Sequence, residues 1–269
     1  MSTITKAVLI TGCSTGIGRA TALQLAADGW TVYATARRPE TLRELEAAGC
    51  HTLALDVCDE ASMKAAVAAV EQAHGAVGVL INNAGYGLEG AFEETPMSEV
   101  RRQFETNVFG LTRLCQLVLP GMRRQRWGKI VNLSSVGGRL ALPGGAFYHA
   151  TKYAVEALSD VMRFEVQGFG IDVILVEPGA IKTEFGRTAI ANVGKVRQAA
   201  SPYAAFNAQV AAKINEAFEG PMAMAAGSPE AVAQVIAGAV SASRPRTRYL
   251  VTAAAHVLGY LTQPSADAY

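Results

Sequence analysis

The sequence predicts an α/β fold, a doubly wound parallel sheet of about seven strands in a single domain. Three observations predict it. Short β-type runs alternate with helical patterns along the 269 residues. The runs are rich in Val, Ile and Leu, as strands covered on both faces must be. Polar or glycine-bearing turns follow five of the runs, and right-handed crossovers would bring those turns to one rim of the sheet.

In chain order, the expected strands are Ala7–Ile10, Thr31–Thr35, Thr52–Leu55, Val79–Asn82, Lys129–Leu133, Asp172–Val176 and Arg248–Thr252. Helical patterns occupy 16–28, 39–48, 59–73, 97–125, 147–168 and 228–241. The expected strand order is 3-2-1-4-5-6, with the last strand added at the edge. The stretch from about 180 to 227 breaks the rhythm. It is rich in alanine and holds Gly186, Gly194, Pro202, Gly220 and Pro221, and reads as a helical lid inserted within the domain. An insertion of that size in a compact domain is usually functional.

Half the residues are hydrophobic and the formal net charge is +1. Neither nucleic acid nor an anionic membrane is expected as a main partner. Arg244, Arg246 and Arg248 read as a solvated loop. Cys13, Cys50, Cys58 and Cys115 lack metal-ligand spacing. No metal is expected, and the thiols read as reduced, in a cytoplasmic protein. No run is long and uncharged enough to span a bilayer.

The strongest local signal is Thr11-Gly12-Cys13-Ser14-Thr15-Gly16-Ile17-Gly18, between the first strand and the first helix. Glycines let a backbone turn tightly and approach a ligand. The N–H groups and positive dipole end of the following helix suit a pyrophosphate. The same residues also fit G-x-S-x-G, the nucleophile elbow of α/β-hydrolases. That elbow normally comes after several strands, and none of the four histidines has a clear triad context. A ligand-free tight turn is the remaining alternative.

Further polar turns follow the later strands: Asp56-Val57, Asn82-Asn83-Ala84-Gly85, Ser134-Ser135 and Pro178-Gly179. In open parallel sheets, ligands sit at this carboxyl-end rim. Tyr148 and Lys152 are one helical turn apart on a shared face. An ammonium there would favour phenolate and lower the tyrosine pKa, giving an acid/base near neutral pH.

Together these motifs resemble the short-chain dehydrogenase/reductase family, in its main single-domain, Rossmann-like branch. The resemblance rests on T-G-x3-G-x-G at Thr11–Gly18, N-N-A-G at Asn82–Gly85, N-x-S-S at Asn132–Ser135, Y-x3-K at Tyr148–Lys152 and P-G at Pro178-Gly179. A softer likeness, in Ser135–Gly138 and Glu177–Gly179, is to hydroxysteroid and retinol dehydrogenase-like members. The resemblance implies an oxidoreductase acting on CH–OH/C=O groups. Tyr148 would be the proton donor or acceptor, Ser135 would polarise the substrate oxygen, and Lys152 would hold the nicotinamide ribose. Asn107 would support a water relay to Lys152, with a solvated mid-helix amide as its alternative. Ser134 would be a supporting hydroxyl.

For the cofactor, the resemblance implies that Gly12, Ser14, Thr15, Gly16, Ile17 and Gly18 cradle the pyrophosphate. Asp56 and Val57 would bracket adenine, unless Asp56 is only a helix cap. Asn83, Ala84 and Gly85 would pass the adenosine ribose, and Pro178, Gly179, Ile181 and Thr183 would hold the carboxamide end. At the end of the second strand, Arg37 and Arg38 stand where an acid would select NAD. Guanidinium forks suit a 2′-phosphate, so NADP(H) is the expected cofactor.

A bulky hydrophobic substrate is expected from Phe185, Ile190, Tyr203, Phe206, Phe218, Met222 and Met224 in the lid, with Leu140, Leu142, Phe147, Tyr86 and Leu88 nearby. These side chains could instead form the lid's own core. The resemblance implies a homodimer or homotetramer through the helices at 97–125 and 147–168, where Phe104, Val108, Leu111, Leu114, Cys115 and Val118 include more apolar residues than one buried stripe needs. A non-catalytic NADP(H)-sensing regulatory protein on the same fold is the alternative function.

Overall fold

A computed structural model describes residues 4–196, 201–218, 226–253 and 255–257, with side chains of 193–196 excepted. Met222 and Met224 lie outside the described residues. Seven parallel strands form one sheet in the order β3-β2-β1-β4-β5-β6-β7. They are β1 Val8–Ile10, β2 Val32–Ala36, β3 His51–Ala54, β4 Val79–Asn82, β5 Gly128–Leu133, β6 Ile171–Pro178 and β7 Arg248–Val251. The sequence-derived order and strand positions hold, with bounds shifted by up to two residues.

Strand side chains alternate between faces, and the core divides accordingly. On one face Val8, Ile10, Val79, Ile81 and Val131 pack under helices α1 (Gly16–Ala27) and α9 (Pro229–Ser241). On the other, Leu9, Leu80, Ile130, Val173 and Leu175 pack under α3 (Glu60–His74), α5 (Gly110–Gln125) and α6 (Ala146–Val166). Burying one such leucine contributes roughly 1.5–3 kcal/mol.

The helix boundaries have local causes. Asp59 caps α3, its carboxylate accepting from the N–H groups of Ala61 and Ser62. Ser228 caps α9 ahead of Pro229. Asp56 is therefore not the helix cap. Its Oδ1 accepts from the N–H of Cys58 at 2.9 Å and shapes the turn before it.

Three expectations are corrected. The helix expected over 97–125 is α4 (Met97–Phe104) and α5 joined by a π-helical turn, Glu105–Phe109. Leu111, Leu114, Cys115 and Val118 are buried in their own chain's core, and Val108 is buried as well. The apolar surface is instead on Phe109, Tyr153, Leu158, Val161 and Phe164, the last 73% exposed. Arg248 does not join a solvated loop: it turns inward to Glu156, Asp160 and Glu177 at 2.6–3.1 Å.

The segment after β6 forms α7 (Glu184–Val196) and α8 (Ala204–Phe218). A Cβ on Gly186 would lie 2.5 Å from the Phe218 ring, so the two helices touch. Asn192 donates to the carbonyl of Gly87 at 2.8 Å, and Asn207 accepts from the N–H of Ala91 at 2.9 Å. These bonds fasten the pair over the turn that follows β4. Among the described residues, no helix is long and apolar enough to cross a membrane.

Candidate active site

The carboxyl ends of β1, β2, β4, β5 and β6 open into a cleft of about 580 Å³. At its floor, the chain leaves β1 and reverses at Gly12, whose φ is +73°, a conformation costly for residues with a Cβ. A Cβ on Gly18 would come within 2.4 Å of Asn83 Nδ2, so only glycine packs there. Asn83 braces the turn by donating to the carbonyls of Thr11 and Gly12 at 2.9 and 3.0 Å. Gly18 thus supports the turn from behind, while Gly12, Ser14, Thr15, Gly16 and Ile17 line the cleft.

The first turn of α1 has no side-chain cap and no acidic residue. Its orphan N–H groups face a site suited to an anion. The neighbouring thiol does not compete for chemistry: Cys13 is buried, and burial pushes it up to about 12. The hydrolase alternative fails on geometry. Ser14 is exposed and bonded to no histidine; His74 is bonded to the Tyr33 hydroxyl, His51 stacks on Tyr33, and His149 bonds the carbonyl of Gly137.

Around the rest of the cleft stand Arg37, Asp56, Val57, Asn83, Ala84, Gly85, Pro178, Gly179, Ile181 and Thr183. Arg37 is exposed at the rim; Arg38 is exposed but does not line the cleft. Gly16 and Thr183 nearly touch across it, since a Cβ on Gly16 would meet Thr183 Cγ2 at 3.1 Å.

Ser135, Tyr148 and Lys152 meet at the inner end. Ser135 Oγ accepts from the N–H of Gly137 at 3.0 Å, which leaves its own proton to donate. Lys152 is 8% exposed and donates to the carbonyl of Leu133 at 2.7 Å. Its Nζ lies 5.8 Å from the centre of the Tyr148 ring.

The expected lowering of the Tyr148 pKa is not seen. Burial pushes the phenol up to about 12, against the pull of Ser135 and aided by the charge of Glu89. Burial also pushes Lys152 down to about 8, opposed by Glu156. At both groups burial outweighs the neighbouring polar groups, so the Tyr148 phenol keeps its proton at neutral pH.

Asn107 is not the solvated mid-helix amide that was its alternative reading. It is 2% exposed, in the π-helical turn, and does not line the cleft. Its Oδ1 accepts from the N–H of Tyr86, and its Nδ2 donates to the Tyr86 carbonyl and the Thr151 hydroxyl, all at 3.0–3.1 Å. Both amide hydrogens are spent, so the side chain is a brace between the turn after β4 and α6.

Sequence reasoning missed several cleft residues. Ala36, Leu55 and Leu133 sit at strand ends and could have been found by the rim rule. Arg102 and Thr106, a turn apart on α4 and the π-helical turn, carried no such signal. Ser134, expected as a supporting hydroxyl, is buried and beside Glu156.

Comparison with known proteins gives the family. A family model described as short chain dehydrogenase matches residues 6–194. The chain is 43% identical over 179 residues to a 3-ketodihydrosphingosine reductase of Bacteroides thetaiotaomicron, covering 66% of this chain and 65% of that protein, just under two thirds of its length. It is 34% identical over 254 residues to an NADPH-dependent 3-dehydrocapnine reductase of Ornithobacterium rhinotracheale, covering 90% and 87%. A short-chain dehydrogenase from Streptomyces avermitilis superposes with a TM-score of 0.81 at 36% identity, covering 96% of this chain and 92% of that one. A glycine turn open to an anion, a Ser135/Tyr148/Lys152 cluster at the same cleft and these matches together make the chain a member of the short-chain dehydrogenase family, an oxidoreductase family.

Proposed function

We propose that the protein transfers a hydride between NADP(H) and the carbonyl or secondary alcohol carbon of a bulky, uncharged, hydrophobic substrate. The observation that carries the reaction type is the convergence of Ser135, Tyr148 and Lys152 on one cleft with the glycine turn. The cofactor choice rests on the Arg37 guanidinium at the rim beside β2, where the segment Tyr33–Arg38 carries no acid to oppose a 2′-phosphate. The NADPH-dependent relative supports it.

When bound, the reduced cofactor supplies the hydride. The Ser135 hydroxyl donates a hydrogen bond to the substrate oxygen as negative charge grows there. Tyr148, proton-bearing at neutral pH, hands its phenolic proton to that oxygen and completes the alcohol. The Lys152 ammonium stabilises the phenolate left behind.

Substrate class is read from the walls. The Phe185 ring lies 5.5 Å from that of Tyr148. Phe92 stacks on Phe147 at 4.9 Å yet remains 70% exposed, and Leu142 is 58% exposed. Phe185 and Phe218 line the cleft itself, and an apolar lining suits an apolar ligand. We assign α7 and α8 as the lid of a single domain. The relative named as a 3-ketodihydrosphingosine reductase supports the hydrophobic part of this class. A panel of ketones with NADPH tests the reading. Bulky apolar ketones, a steroid ketone among them, should be reduced; turnover of small charged keto acids with the bulky ketones inert would overturn it.

A further inference from the structure

Beside Tyr148 stands a buried histidine that the chemistry above does not use. His149 is 7% exposed, and its Nδ1 lies 2.9 Å from the carbonyl oxygen of Gly137. A carbonyl only accepts, so Nδ1 carries the proton. The N–H of the same Gly137 donates to Ser135 Oγ at 3.0 Å. One glycine therefore faces the Ser135 hydroxyl on one side and the imidazole on the other.

The ring is seated in a slot that has no spare room. A Cβ on Gly137 would lie 2.5 Å from Nδ1, and a Cβ on Gly145 would lie 2.5 Å from Nε2. Glu89 Oε2 approaches that same Gly145 position to 2.9 Å, so the acid flanks the far side of the slot. The Tyr148 and His149 rings are 5.7 Å apart on consecutive residues of α6. Any turn of the helix that moves one moves the other.

We propose that His149 is a positioning residue, which fastens the turn bearing Ser135 to the helix bearing Tyr148 and so sets the distance between the two hydroxyls. An ordinary core histidine would be satisfied by any nearby carbonyl; this one is bonded to the turn whose geometry the reaction depends on. The inference rests on the roles given above to Ser135 and Tyr148. Misplacing reacting groups by about 1 Å can cost on the order of a hundredfold in rate.

Three variants separate positioning from bulk. His149→Asn keeps an N–H close to the position of Nδ1. His149→Gln moves the donor towards Nε2, and His149→Leu removes it while filling the slot. Four quantities are measured: kcat with a steroid ketone and NADPH, Kd for NADPH, Tm, and amide exchange at Gly137 and Gly138. Expected for Leu and Gln are a drop in kcat on the order of tenfold to a hundredfold, a nearly unchanged Kd, and faster exchange at the two glycines. His149→Asn should restore both kcat and protection. Equal losses in all three variants, tracking a fall in Tm, would reduce His149 to a packing residue and overturn the proposal. So would a His149→Leu protein with wild-type kcat and protection. If the wild type reduces no ketone, the proposed function fails, while the exchange comparison of Asn with Leu still decides whether His149 holds the turn.

Discussion

Lys152 donates an ammonium proton to the carbonyl oxygen of Leu133 across 2.7 Å, which ties the middle of α6 to the end of β5. The bond fixes the lysine at the inner end of the cleft and keeps its charge within 5.8 Å of the Tyr148 ring centre. Substituting Lys152 therefore removes both a strut and a charge.

Its titration gives the first prediction. Burial holds Lys152 at about 8, below the ordinary lysine value. The ammonium is present below that pH and lost as pH rises through it. Reduction should therefore slow as pH climbs past about 8, and Lys152→Ala should abolish that limb along with most of the rate. A pH–rate profile checks both. A wild-type profile flat well above pH 8 would remove Lys152 from this role.

Arg37 supplies the second. If its guanidinium meets a 2′-phosphate, Arg37→Ala should weaken NADPH by about 1.5–3 kcal/mol, roughly ten- to a hundredfold in Kd, and leave NADH almost unchanged. Fluorescence titration with both cofactors reads the difference. A wild-type preference for NADH would refute the cofactor assignment.

The third concerns assembly. Tyr153, Val161 and Phe164 lie on one stripe of α6, 45%, 59% and 73% exposed. Water-facing aromatic and aliphatic surface of this kind marks an association face. We expect a homodimer or homotetramer by light scattering at micromolar concentration, and a shift to monomer on Phe164→Glu. A monomeric wild type would contradict it.

Much of this was legible before the structure. Strand order follows from alternating apolar runs, and the cleft from the polar turns after each run, because a parallel sheet brings those turns to one rim. What was not legible has a common cause: periodicity tells which residues are apolar, not which neighbour they meet. The stripe at Val108–Val118 satisfies its own core, while α6 carries the exposed face. Arg248 looked like a loop arginine because its acids, Glu156, Asp160 and Glu177, lie far off in sequence. The π-helical turn that sends Asn107 inward leaves no mark in a 3.6-residue pattern. The direction of the Tyr148 shift depends on burial, which spacing alone does not report.

Whether Tyr148 is the acid of a hydride-transfer reaction is decided by comparing Tyr148→Phe with the wild type. NADPH consumption is followed with a bulky apolar ketone, and NADPH binding is titrated for both proteins. The phenylalanine keeps the ring among its neighbours and deletes the one proton the reaction needs. The prediction is near-complete loss of consumption with NADPH affinity largely kept. A Tyr148→Phe protein that reduces the ketone at half the wild-type rate would rule out Tyr148 as the acid.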